Sequence, residues 1–78
     1  MAIVQVDSAP SGVRQISVNG RTIETSAITL ADLLQTLAYD AARVATAVNG
    51  DFVPRRQRAA IVLAELDSVE IVAARQGG

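Results

Sequence analysis

Asn19-Gly20 constrains this chain more than any other pair of residues. It lies between Gln15-Ile16-Ser17-Val18 and Arg21-Thr22-Ile23-Glu24-Thr25, two runs that alternate polar and apolar residues. Alternation with period two marks a half-buried strand. Asn-Gly between two such runs suits a type I′ turn, which needs positive φ at both central residues. A hairpin is therefore predicted. A hairpin cannot cover its own apolar face, so another part of the chain must do so.

The cover follows directly. Thr29 and Asp32 have the spacing of a capping box, and Ile28 and Leu33 that of a hydrophobic staple. Leu30, Leu33, Leu34 and Leu37 then recur at i, i+3, i+4 and i+7, which lays one leucine face against a sheet. The helix is predicted from Leu30 to Ala38 or Tyr39. Arg43–Val48 reads as a strand ending at a second Asn-Gly, Asn49-Gly50. Asp51-Phe52-Val53 continues it briefly until Pro54 withholds a ladder donor. Arg55–Arg58 is predicted as a single helical turn followed by a short extended piece. Ala60-Ile61-Val62-Leu63 is a continuous apolar run that periodicity does not assign, so residues 59–66 stay open between strand and helix. Ser68-Val69-Glu70-Ile71-Val72 alternates as a last strand.

Strands gathered around one helix give an α+β fold. The order predicts a β-grasp: a mixed four- to five-stranded sheet with one main helix on one face. The final strand should lie beside the first in the middle of the sheet, its C-terminus projecting as a tail. Residues 1–14 read as a mobile extension, with a turn-rich Asp7–Gly12 and a short apolar Ile3, Val4, Val6 group upstream. Residues 15–73 form the domain, and 74–78 a flexible tail.

Composition removes most chemistry. Half of the 78 residues are apolar, yet there is no Cys, His, Trp or Lys. Disulfides, thiolate or imidazole catalysis, Schiff bases and ordinary zinc sites are excluded. No metal or bound cofactor is expected. Net charge is −1 and all seven cations are Arg, a balance that argues against nucleic-acid or membrane binding. No apolar run reaches the ~18–20 residues of a membrane span. The start lacks a basic n-region, so a cytoplasmic location is the default expectation. A monomer is expected in isolation.

One reactive group is left, the α-carboxylate of Gly78. Gly77-Gly78 alone reads equally as a frayed end. Following a predicted central strand, it suits a backbone threaded through a channel too narrow for a Cβ. A carboxylate is a poor electrophile. Attack by its oxygen on the α-phosphate of ATP gives an acyl-adenylate, and sulfur can then displace AMP to give a thiocarboxylate. The chain has no phosphate loop, so a partner enzyme must supply the ATP site.

The chain resembles the ThiS family of sulfur carriers of thiamin biosynthesis, in the ubiquitin-like β-grasp superfamily. The matching stretches are Ile16–Gly20, Thr29–Leu34, Val44–Gly50 running into Phe52-Val53-Pro54-Arg55, Val69–Val72, and Gly77-Gly78. Val-Asn-Gly-x-x-Val-Pro-Arg at 48–55 is the most specific of them. The resemblance implies a carrier rather than an enzyme. Gly78 would be adenylated by an E1-like adenylyltransferase (ThiF-like), which consumes the ATP. It would then be converted with a sulfur donor protein to the thiocarboxylate and used by a thiazole synthase (ThiG-like). Gly77 would be required for activation. The chain departs from the family pattern in residues 1–14, in the Ala-Ala-Arg-Gln approach to Gly-Gly, and at Glu65-Leu66-Asp67-Ser68. An Asp-Gly-Asp-like turn is common at that last position.

Candidate partner contacts are Arg75, Phe52, Val53, Arg55 and Leu66. Phe52, Val53, Val48 and Leu66 are expected on the sheet face away from the helix, as an exposed apolar patch or as ordinary edge packing. Arg55, Arg56 and Arg58 form either a docking cluster or a solvated turn with ion pairs to Glu65 or Asp67. Asp32 reads as a cap and Asp51 as turn chemistry. Three alternatives remain: a molybdopterin-synthase small subunit, a ubiquitin-like binding module with an inert tail, and a protein modifier.

Overall fold

The computed structural model describes residues 12–73. Most of the N-terminal extension, together with Arg75, Gly77 and Gly78, lies outside these residues. Strands β1 (Arg14–Val18) and β2 (Arg21–Thr25) pair antiparallel with Ile16 opposite Ile23. Asn19 and Gly20 have φ of 52° and 85°, the type I′ signature. Helix α1 (Leu30–Thr36) follows, then β3 (Val44–Val48), β4 (Asp51–Val53) and β5 (Ser68–Ala73). Short 3₁₀ turns occupy Ala41–Arg43 and Arg55–Ala60.

The five strands form one mixed sheet in the order β2-β1-β5-β3-β4. The last strand lies parallel to β1 and antiparallel to β3, in the middle of the sheet as predicted. The helix covers one face. Leu30, Leu33 and Leu34 are buried against Ile16, Val69, Ile71, Val53 and Leu63, and Leu37 packs at the margin. Thr29 Oγ1 accepts from the Asp32 amide while Asp32 Oδ2 accepts from the Thr29 amide, which completes the capping box.

Several expectations are corrected. The helix ends at Thr36, two or three residues early. The amides of Ala38 and Tyr39 turn back to the carbonyls of Gln35 and Leu34, a Schellman pattern that places Ala38 at φ 65°. Ile28 does not close the staple, being 57% exposed. It contributes its carbonyl instead, accepting from the Leu63 amide. The second strand pair starts at Val44 because Asp40 Oδ1 caps Ala42 and holds Arg43 in the 3₁₀ turn. The turn after Pro54 runs to Ala60, and residues 61–66 are extended or turning, with Val62 bridged to Thr29.

Candidate functional site

Any tail chemistry is delivered by β5, so what holds β5 matters most. Its antiparallel register with β3 runs from Val48↔Val69 to Val44↔Ala73. The parallel register with β1 covers only Ser17↔Ser68 and Val18↔Val69, because β1 ends at Val18 and the chain turns at Asn19. Beyond that point a side chain replaces the missing strand. Asn19 Nδ2 donates to the Ile71 carbonyl at 3.0 Å, and the Ile71 amide donates to Asn19 Oδ1 at 2.8 Å. The second Asn-Gly turn does the same at the opposite end. The Ser68 amide donates to Asn49 Oδ1 at 2.9 Å, and Asn49 Nδ2 donates to Asp67 Oδ1. In the sequence Asn19 is legible for its positive φ and Asn49 as the end of a strand, and neither clasp is. The repeated Asn-Gly was the one available signal.

Strand alternation puts Ala45, Ala47, Phe52 and Val72 on the face away from the helix, with Phe52 opposite Ala47 and Val72 opposite Ala45. Phe52 is 69% exposed and Val72 is also exposed. Val53 is corrected: it faces the helix, belongs to the core and is 5% exposed. Val48 packs against the same core and leaves the outer patch too. Leu66 is 74% exposed, but in the turn entering β5 and not on the outer sheet face. It stands there at φ 71°.

The arginine cluster divides. Arg55 and Arg56 are exposed. Arg58 is 4% exposed and is neither a docking residue nor a partner of Glu65 or Asp67. Its Nε donates to Thr46 Oγ1, Nη1 to the Ala41 carbonyl and Nη2 to the Val44 carbonyl, at 2.7–3.1 Å. Burial first, and Arg55 second, push its pKa below the ordinary guanidinium value. Among the described residues the one ion pair is exposed Arg43–Asp40. Among the described residues no group of His, Cys, Asp or Glu could hold a metal ion, and no helix is long and apolar enough to cross a membrane. An open groove of about 430 Å³ lies between the β1–β2 hairpin and the helix C-terminus, lined by Val18, Asn19, Arg21, Ile23, Leu37 and Tyr39.

A mixed sheet with a parallel central pair, crossed on one face by a single helix, defines a small ubiquitin-like β-grasp protein. The comparisons are more specific. The ThiS family model matches residues 13–78, so the chain belongs to the ThiS family, the sulfur carriers of thiamin biosynthesis. The crystal structure of a thiamine biosynthesis protein, ThiS from Geobacter metallireducens, is similar, with a TM-score of 0.72 and 25% sequence identity. That match covers 82% of this chain and 99% of the other. No individually curated protein gives a significant match.

Proposed function

We propose that this carrier holds sulfur on its C-terminal carboxylate. The observation that carries the reading is the family match, whose range of residues 13–78 includes Gly77-Gly78. The chemistry takes two displacements. A Gly78 carboxylate oxygen bonds to the α-phosphorus of ATP, and pyrophosphate leaves. A sulfide-level nucleophile from a sulfur donor protein then bonds to the acyl carbon, AMP leaves with the former carboxylate oxygen, and a thiocarboxylate results. The E1-like adenylyltransferase supplies the ATP site and the charge stabilisation. A thiazole synthase consumes the sulfur. The chain is a co-substrate, acting in the cytoplasm and as a monomer between encounters.

Phe52, Leu66 and Arg55 are the described residues proposed for docking, with Arg75 of the tail itself. Phe52 and Leu66 expose bulky apolar side chains that need a partner surface to leave water.

The test is intact mass after incubation with ATP, a cognate adenylyltransferase and a sulfur donor. Exchange of one oxygen for sulfur is expected in the wild type. Deletion of Gly78 should abolish it while leaving the thermal transition unchanged. A thiocarboxylate on the deletion variant, or none on the wild type, overturns the reading.

A further inference from the structure

We infer that Asn19 is a positioning residue for the tail: its amide fixes the free edge of β5 where the strand leaves the sheet. This inference rests on the reading of Gly78 as the loaded group.

A parallel strand is normally held on both edges by neighbouring backbones. Among the described residues, β5 past Val69 has backbone on the β3 side only. Ile71 is the next residue whose amide and carbonyl face the β1 side. Asn19 meets both with one planar group, donating to the carbonyl and accepting from the amide. A primary amide has the donor and acceptor of a peptide unit, so the clasp extends the β1 ladder by one register. Ile71 is seven residues before Gly78. An extended tail of that length reaches at most ~3.3–3.6 Å per residue. A small angular error at Ile71 is therefore multiplied at the carboxylate. Holding both edges of β5 at Ile71 fixes the direction in which the described strand ends at Ala73, and lowers the ordering cost of engaging a partner from there.

Asn49 provides the matched comparison. It sits in the same kind of turn, at φ 53°, and its side chain clasps the other end of β5, at Ser68. Glycine accepts positive φ without strain, so Asn19→Gly and Asn49→Gly each remove a side-chain clasp and keep the turn.

The experiment compares these two variants with the wild type by two readouts. The first is backbone ¹⁵N relaxation at Val72 and Ala73. Asn19→Gly should lower the order parameters there, and Asn49→Gly should leave them unchanged. The second is steady-state adenylation of the carrier. Asn19→Gly should raise the KM for the carrier about five- to tenfold with kcat within twofold, and Asn49→Gly should keep both within twofold. Equal order in all three proteins overturns the positioning role, as do equal kinetics in the two variants. If the wild type is never adenylated, the carboxylate reading fails, and the relaxation data alone still decide whether Asn19 orders the exit of β5.

Discussion

Two residues occupy left-handed backbone that glycine would hold more cheaply. Leu66 stands at φ 71° and Ala38 at φ 65°. The left-handed region costs an L-residue roughly 1–2 kcal/mol, partly offset by the larger entropy a glycine loses on folding. Leu66 is also exposed, so replacing it gives up little burial. Leu66→Gly should raise stability by about 1 kcal/mol, and Ala38→Gly by about 0.5–1 kcal/mol, read as a higher urea midpoint at constant slope. If Leu66 docks a partner, its glycine variant is then more stable but a poorer adenylation substrate. A variant that is both more stable and equally active removes Leu66 from the docking surface. The sequence signalled half of this. The absent turn glycine at Glu65-Leu66-Asp67 was visible. That the backbone keeps the glycine conformation with a leucine in it was not, because propensity describes which residue a turn prefers and not which strain a fold accepts.

Elements were legible where a local rule and a tertiary need agreed. The hairpin, the capping box and the leucine stripe each satisfy a local pattern and also bury the core, so period and packing gave the same answer. Arg58 shows the opposite case. Read locally, Arg55-Arg56-Gln57-Arg58 is a charged, solvent-facing turn. In the fold the 3₁₀ geometry carries Arg58 back under the sheet edge, where it bonds to β3 and to the Ala41–Arg43 turn. Those partners lie 12 to 17 residues away in the chain, beyond any sequence window. Arg58→Met keeps much of the stem but leaves the Ala41 and Val44 carbonyls without this donor. It should cost about 2–4 kcal/mol in chemical denaturation, from lost charge-assisted bonds and unpaired acceptors. Arg58→Lys should fall between, since an ammonium does not reproduce the planar fork. The pKa shift has a definite sign. The fold disfavours the charged form, so the penalty is in place at every pH below the guanidinium range. It is relieved only as pH rises into that range. Between pH 5 and 9 the Arg58 contribution should be flat, and a stability step there that is lost in Arg58→Met would contradict it.

At the scale of the whole molecule, the one α-helix among the described residues creates an asymmetry. One sheet face is a closed core, and the other carries Ala45, Ala47, Phe52 and Val72 outward on β3, β4 and β5. This same strand, β5, leads to the terminal glycines, so a partner seated on the outer face also lies beside the exit of the tail. Sequence reasoning found Phe52 but misplaced Val53 and Val48, because a three-residue strand after a turn does not reveal which parity faces the helix. The register decides it: Thr46 is opposite Val53, so Phe52 must point the other way. Phe52→Thr keeps β propensity while removing the ring. Because Phe52 is exposed, stability should change by no more than about 0.5 kcal/mol. If the ring is a docking anchor, kcat/KM for adenylation should fall about 10- to 100-fold, the range of a buried aromatic hot spot. Thermal unfolding and adenylation kinetics on one preparation separate the outcomes. A folded variant with lost activity places the partner on the outer face. Unchanged kinetics would instead move the docking surface to the Leu66 turn or the hairpin edge.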